Sequence, residues 1–257
     1  MDLNIGGKRA LITGASTGIG RATALALAAE GVKNAVSSRS EAPLAALKDA
    51  IIAAGGPSPA VIVSDITTAE GAAYLINEAQ RQLGGVDVLV NNAGGSRPRP
   101  DGEVGASEDV WWDEAFALNF TAARRITEGL LPGMKAAGWG RIITLTGAMT
   151  LRRINAAAPA KAALWSWSRS LSAELAPHGI TVNCIAPGRI NTPQITGRLF
   201  PTEQARRAEI EQNIPMGRFG EPEELAAMVA FLASEQAGYI TGTQIPIDGG
   251  MIRMALP

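Results

Sequence analysis

Apolar residues recur along this chain in two alternating rhythms. Short runs rich in Ile and Val predict buried strands at Ala10–Thr13, Ala35–Ser38, Val61–Ser64, Val86–Asn91, Arg141–Leu145, Thr181–Ile185 and Gln244–Ile247. Between them lie stretches with helical spacing: Arg21–Glu30, Ala42–Ala54, Ala69–Leu83, Val110–Gly129, Ala156–Leu175 and Glu223–Ala233. Gly55-Gly56, followed by Pro57, and Gly84-Gly85 mark turns between them. This alternation predicts an α/β fold, a parallel sheet covered by helices on both faces. No repeat, low-complexity tract or linker divides residues 1–257, so one domain is expected. The stretch SRPRPDGEVG at 96–105 is too short for a linker. It reads as a long loop leaving the carboxyl end of a strand, where ligands bind in such sheets.

Composition narrows the class. Of 257 residues, 46% are hydrophobic and 18% charged, enough apolar surface for a large core. A net charge of −1 gives no bulk attraction to nucleic acid or to an acidic membrane, and no basic face is evident. The single cysteine, Cys184, excludes an internal disulfide and fits a reducing compartment. The start, MDLNIGGKRALITG, has no long apolar run behind a basic end, so a secretory signal is not expected. No run approaches the roughly 20 apolar residues of a membrane span. A cytoplasmic protein is the expectation.

The first strand leads into Gly14-Ala-Ser-Thr-Gly18-Ile-Gly20 and then a helix. Gly14 permits the tight turn, while Gly18 and Gly20 let backbone approach a pyrophosphate and let the helix pack on the sheet. The helix N-terminus offers free N–H groups and a positive dipole end to phosphates. A glycine pattern alone is weak evidence, but this one lies between a strand and a helix, which is its confirming context. The second strand ends Ser37-Ser38-Arg39-Ser40, without the acid that usually binds a ribose 2′-hydroxyl. Arg39 is suited to a 2′-phosphate, with Ser38 and Ser40 adding hydrogen bonds, so NADP is favoured over NAD. Thr17, where a second basic residue often helps, leaves NAD open, and Arg39 also reads as a solvated charge at a helix start.

Together these residues resemble the classical short-chain dehydrogenase/reductase family, in its 3-oxoacyl-ACP-reductase-like form, and the resemblance covers essentially the whole chain. It is carried by TGASTGIG at 13–20, Asp65 in SDIT, NNAG at 91–94, Asn119 in LNFTA, IAPGRINT at 185–192 and YITGTQIPIDGG at 239–250. The family implies a Rossmann-type sheet of about seven strands, a nicotinamide cofactor and usually a homotetramer. By resemblance the cofactor lies against Gly14, Ser16, Thr17, Gly18, Ile19, Gly20, Ser38, Arg39, Asp65, Ile66, Asn92, Ala93, Gly94, Lys161, Pro187, Gly188, Ile190 and Thr192. Asp65 contacts the adenine amine, NNAG braces the sheet and lines the adenosine side, and Thr192 meets the carboxamide. Family members pass a proton between a tyrosine and the substrate oxygen, which a serine holds. A lysine four residues after the tyrosine lowers the tyrosine's pKa and binds the nicotinamide ribose, and an asparagine supports a relay water.

Here the catalytic set reduces to Asn119 and Lys161. Ala157 stands four residues before Lys161, in INAAAPAKAAL, where the family keeps tyrosine. Gly147 falls at the serine position, to within a residue, between Thr146 and Ala148, and the spacer to Lys161 is about three residues short. The chain's two tyrosines, Tyr74 and Tyr239, belong to the third helix and the C-terminal motif. Losing a positioned acid/base typically lowers rate by about 10²–10⁴. Three readings follow: other groups act (Lys161 through water, or Thr146 or Thr150), the substrate needs little protonation, or only nucleotide binding remains.

Arg97, Arg99, Arg152, Arg153 and Arg189 all follow strand ends, so an anionic group on a small-molecule substrate is a candidate, against solvated or interface arginines. The segment Ile190–Met216 corresponds to the family's substrate-covering region, and its mixed polarity fits a mobile lid. His178 reads as a surface-turn residue and Cys184 as a buried small residue. Trp111, Trp112, Trp165 and Trp167 read as core or subunit contacts. No cluster of His, Cys and acids suggests a metal.

Overall fold

The computed structural model describes residues 2–95, 107–147 and 155–251. Seven strands form one parallel sheet in the order β3-β2-β1-β4-β5-β6-β7. They are β1 (Arg9–Thr13), β2 (Lys33–Ser38), β3 (Ala60–Val63), β4 (Val88–Asn91), β5 (Gly140–Leu145), β6 (Ile180–Pro187) and β7 (Gln244–Ile247). The helices are α1 (Gly18–Ala29), α2 (Glu41–Ala53), α3 (Ala69–Leu83), α4 (Ser107–Phe116), α5 (Ala122–Ala137), α6 (Ala157–Leu175), α7 (Glu203–Asn213) and α8 (Pro222–Leu232). This is the doubly wound α/β architecture expected from the alternating pattern.

The period-two pleat of each strand divides its side chains between two cores. Ala10 and Ile12 of β1 join Val88 and Val90 of β4 under α1, α2 and α8, through Leu27, Leu47 and Val229. Leu11 and Leu89 face the opposite side and pack with Leu75 of α3, Ile126 and Leu130 of α5, and Leu175 of α6. Helix ends follow local chemistry. The Thr68 side chain accepts from the Gly71 N–H to start α3, and Gly84 in the left-handed region ends it.

Two parts of the chain differ from the sequence expectation. The predicted helix Val110–Gly129 is α4, a wide π-type turn at Ala117–Thr121, and α5, which continues past Pro132 to Ala137. Pro132 is tolerated because it breaks only one hydrogen bond of a helix anchored by Ile126, Leu130 and Met134. Helix α7 buries no residue, so no apolar stripe announces it. Its local signal is Thr202, whose hydroxyl accepts from the Ala205 N–H at 3.2 Å.

At the amino edge of the sheet, Arg9 clasps Asp87 through its backbone N–H and Nε, both at 2.9 Å, and through a terminal guanidinium nitrogen. Burial pushes the Asp87 carboxyl up, but these hydrogen bonds and the Arg9 charge outweigh it and hold its pKa below the ordinary aspartate value. The contribution is present above the unfolded-state pKa and is lost as pH falls through the lower folded-state pKa. Asp87→Asn should therefore cost about 1 kcal/mol at neutral pH, after allowance for solvent screening of this half-exposed pair. Denaturant midpoints should show the variant and the parent converging below the carboxylate range. A constant difference at all pH values would refute this assignment.

Candidate active site

The sheet changes winding direction between β1 and β4, since the chain passes to β2 and β3 on one side and to β5, β6 and β7 on the other. A crevice opens at the carboxyl ends of strands at such a point. Here it is a cavity of about 740 Å³, within the range of small-molecule and cofactor sites. Its walls come from the ends of β1, β2, β4, β5 and β6 and from the first turns of α1 and α6.

The glycine turn forms the centre of one wall. Gly14 has φ +65°, and a Cβ there would stand 2.9 Å from the Ala93 Cα. At Gly20 a Cβ would lie 2.3 Å from the Gly14 carbonyl oxygen, so only glycine lets α1 start this close to the turn. No acidic side chain occupies the first turn of α1, which leaves its positive end to the cavity. Asn92 fixes the turn from β4, its Nδ2 donating to the carbonyls of Thr13 at 2.9 Å and Gly14 at 3.0 Å. The Thr13 hydroxyl accepts from the N–H groups of Asn92 and Ala93 and donates to the Val90 carbonyl.

The outer end is polar. Arg39 is exposed at the end of β2, and the Ser38 hydroxyl donates to the Ser40 carbonyl at 3.0 Å. Asp65 accepts from the hydroxyl and the N–H of Thr67 at 2.7 and 3.1 Å. Those bonds first, and the Arg39 charge last, hold its carboxyl below the ordinary aspartate value. Asp65 is thus ionised and oriented at neutral pH.

Lys161 lies at the inner end. Its Nζ donates to the carbonyls of Leu145 at 3.1 Å and Thr146 at 2.6 Å, beyond the last residues of β5. Burial brings its pKa down from the ordinary lysine value to about 8. A Cβ at Gly94 would stand 3.0 Å from Asn119 Oδ1 and 3.3 Å from Lys161 Nζ, so both side chains converge on that glycine. Asn119, buried in the π-type turn, spends its amide on backbone. Its Oδ1 accepts from the Gly95 N–H, and its Nδ2 donates to the carbonyls of Gly95 and Ala115.

Of the residues singled out in the sequence, Gly14, Ser16, Thr17, Gly18, Ile19, Ser38, Arg39, Asp65, Ile66, Asn92, Ala93, Gly94, Lys161, Pro187, Gly188, Ile190 and Thr192 line this cavity. Gly20 and Asn119 stand behind its wall. Thr192 packs over the glycine turn, its Cγ2 2.9 Å from a Cβ position at Gly18. Gly147 and Ala157 line the inner end beside Lys161. Tyr74 and Tyr239 are exposed and are not among the lining residues, and His178 is exposed in the turn before β6. Thr146 does not offer a hydroxyl to the cavity. Its Oγ1 donates to the Ile185 carbonyl at 3.0 Å and accepts from Gln244 at 2.8 Å. Arg189 is engaged, its Nε 2.7 Å from Glu209 and its guanidinium over the Phe200 ring. Arg97, Arg99, Thr150, Arg152 and Arg153 lie outside the described residues.

Among the lining residues that sequence reasoning did not single out as site residues are Leu118, Asn155 and Ala158. Each is an ordinary residue of a loop or helix whose place becomes functional only in three dimensions. Asn155 accepts from the Ala157 N–H at 2.9 Å, and so shapes the start of α6.

Fold and crevice together define an α/β protein built to hold a dinucleotide-sized ligand at a strand-order switch. The family model described as enoyl-(acyl carrier protein) reductase matches residues 14–252. The short-chain reductase protein NovJ of Streptomyces niveus is 38% identical over 248 residues, 94% of this chain and 92% of the relative. The 3-oxoacyl-(acyl-carrier-protein) reductase FabG of Escherichia coli strain K12 is 38% identical over 252 residues, 97% and 99% of the two chains. Among solved structures, L-sorbose reductase from Gluconobacter frateurii, complexed with NADPH and L-sorbose, superposes with a TM-score of 0.91 at 33% identity, covering 99% of this chain and 100% of that one. The chain belongs to the short-chain dehydrogenase/reductase family, a family of oxidoreductases.

The glycine geometry makes a direct prediction. Gly20→Ala should lower stability by about 1–3 kcal/mol, because its Cβ meets backbone that cannot yield. Gly147→Ala should change it by less than about 0.5 kcal/mol, because among the described residues its Cβ meets only Lys161 Cδ, at 3.6 Å. Urea unfolding of the two variants provides the comparison, and equal losses would contradict the placement of the turn.

Proposed function

We propose that the protein is an NADP-preferring oxidoreductase acting on an alcohol/carbonyl pair through a non-standard active site. One observation carries this reading: a single cavity joins Arg39, the glycine turn and Lys161 in that order. The residues present fit such a cofactor. Gly14 and Gly18 leave the backbone open to a pyrophosphate at the N-terminus of α1, Arg39 suits a 2′-phosphate, and Asp65 suits the adenine amine. Thr192, Pro187, Gly188 and Ile190 lie on the wall from which a nicotinamide would be held, with Lys161 in place for its ribose. The complex of the similar L-sorbose reductase with NADPH supports the same choice of cofactor.

When bound, the cofactor supplies or accepts hydride at the substrate carbon. The chain's own residues supply position and a proton. Lys161, with a pKa near 8, holds and releases a proton at Nζ close to neutral pH. Asn119 acts on Lys161 by fixing Gly94 and Gly95 through the Gly95 backbone, and a relay water beside it completes the proposed path. The segment after β6 is pinned by the parallel bridge between Ile190 and Gly220 and by the Arg189–Glu209 pair, and it covers the cavity from the substrate side. The reading includes a cytoplasmic homotetramer and a small-molecule substrate. An anionic group on that substrate falls to Arg97, Arg99, Arg152 and Arg153, because Arg189 is already paired.

A second reading, a nucleotide-binding protein without catalysis, is favoured by Ala157 and Gly147, which leave no hydroxyl at the positions where the family keeps its acid and its oxyanion donor. Calorimetric titration separates the cofactor claims. Arg39→Ala should weaken NADPH binding about 10–100-fold and leave NADH nearly unchanged, the loss of charge-assisted hydrogen bonds to one phosphate. Equal weakening of both would sink the assignment of Arg39. The double variant Ala157→Tyr, Gly147→Ser then decides between the two readings. Activity gained from none would favour the lost catalyst, and loss of an existing activity the rewired site.

A further inference from the structure

Lys161 presents an ammonium whose surroundings are unbalanced. The group has three N–H donors, and two are spent on the carbonyls of Leu145 and Thr146. Among the described residues no carboxylate lies within ion-pair distance of it. The titratable group that faces it from β6 is Cys184, a thiol that burial pushes up to about 11 and keeps neutral. Asp65 and Arg39 belong to the outer end, and Arg189 is paired with Glu209. The hydroxyl nearest in sequence, that of Thr146, is turned into the sheet.

Open space adjoins this ammonium. Ala157 sits one helical turn before Lys161, and the Cβ position of Gly147 has only Lys161 Cδ within 4 Å among the described residues. Leu118, Leu145 and Ala158 add apolar wall. Among the described residues this buried charge has no counter-ion, which is costly and favours a ligand that brings one negative oxygen. An apolar recess beside an ammonium that shares its third N–H with the nicotinamide ribose satisfies a single-oxygen anion, held by charge as well as by hydrogen bond. A carboxylate would leave its second oxygen without a partner.

We propose that the recess flanked by Gly147, Ala157 and Lys161 is a binding subsite for an acidic hydroxyl carried by the substrate itself, a phenol or an enol, which Lys161 holds as its anion. The step is a simple proton exchange. The O–H bond of the ligand breaks, its electron pair stays on oxygen, and the proton leaves to solvent water, because Lys161 at a pKa of about 8 is already an ammonium. The result is an ammonium–phenolate pair that takes a proton back by the reverse step. The proposal rests on the reading of the cavity as an oxidoreductase site, and it assigns the substrate class.

The probe is 4-nitrophenol, whose anion alone absorbs strongly in the violet. It is titrated into the full chain, once alone and once with saturating NADP⁺, at a pH about one unit below its free pKa. Saturable growth of the anion band is expected, equivalent to at least about a tenfold gain in the ionisation constant, or one pKa unit. Ala157→Phe fills the recess and should suppress the growth. If circular dichroism shows that variant unfolded, the smaller Ala157→Val takes its place. Lys161→Met should remove the band even where the ring still binds. A saturating titration with no band growth overturns the proposal. So does an unchanged response in a folded Ala157 variant, or benzoate displacing the probe as well as unsubstituted phenol does. Calorimetry with NADP⁺ is run on the same sample. Absent nucleotide binding would remove the functional reading while the phenol response, measured on the protein alone, still decides the subsite. Nucleotide binding with a silent band would remove the subsite only.

Discussion

The crevice of this protein depends on one side-chain amide. Asn92 stands just past the end of β4 and donates to the carbonyls of Thr13 and Gly14 across the gap where strand order reverses. The Thr13 hydroxyl completes the seam by accepting from two backbone N–H groups on the β4 side. Without these bonds, backbone acceptors and donors at the bottom of a cavity would be left unpaired, at about 1–3 kcal/mol each. The sheet therefore stays joined up to the point where β1 and β4 diverge, and the glycine turn starts from a fixed position. Every other property of the cavity follows from that position: the direction of α1, the open face of the turn, and the distance from Arg39 to Lys161.

Along the cavity the electrostatic setting changes in kind. At the outer end Arg39 and Asp65 are solvated, and their interaction is screened. In the middle the charge is only partial, carried by unpaired N–H groups at the start of α1. At the inner end Lys161 is desolvated, and its pKa falls to about 8 because burial, without a carboxylate partner, disfavours the ammonium. The same amino-acid type would titrate two or three units higher on the surface. Position within the crevice, rather than residue identity, gives Lys161 a proton that moves near neutral pH.

The strands and the glycine turn were legible because each is written locally. Short apolar runs mark β1, β4 and β5, and glycines at 14, 18 and 20 mark a backbone that side chains would block. Arg39 and Asp65 could be placed because they lie at strand ends. Helix α7 was not legible, since it packs no apolar face and its start rests on one hydroxyl, that of Thr202. The role of Asn119 was only half legible. Its sequence position suggested the site, but its contact with Gly95 depends on the wide turn at Ala117–Thr121, which adds a residue to the helix without changing its apolar spacing. Thr146 shows the opposite failure. A hydroxyl next to the serine position looks available in one dimension, yet the pleat turns it inward to Ile185 and Gln244.

Lys161 also has an architectural duty that positions 147 and 157 do not share. The carbonyls of Leu145 and Thr146 lie where β5 leaves the sheet, and Lys161 supplies a donor to each. That arrangement is architectural, because removing the ammonium would leave two acceptors at the end of a buried strand short of a partner. A tyrosine at 157 and a serine at 147 have no such duty. Ala157 keeps helical propensity at the start of α6, and among the described residues a Cβ at Gly147 meets only the Lys161 stem. Changes at 147 and 157 therefore leave those two carbonyls satisfied, whereas loss of the lysine would leave them short of a donor. The cation persists with space beside it, and the chemistry of this protein is decided by what enters that space.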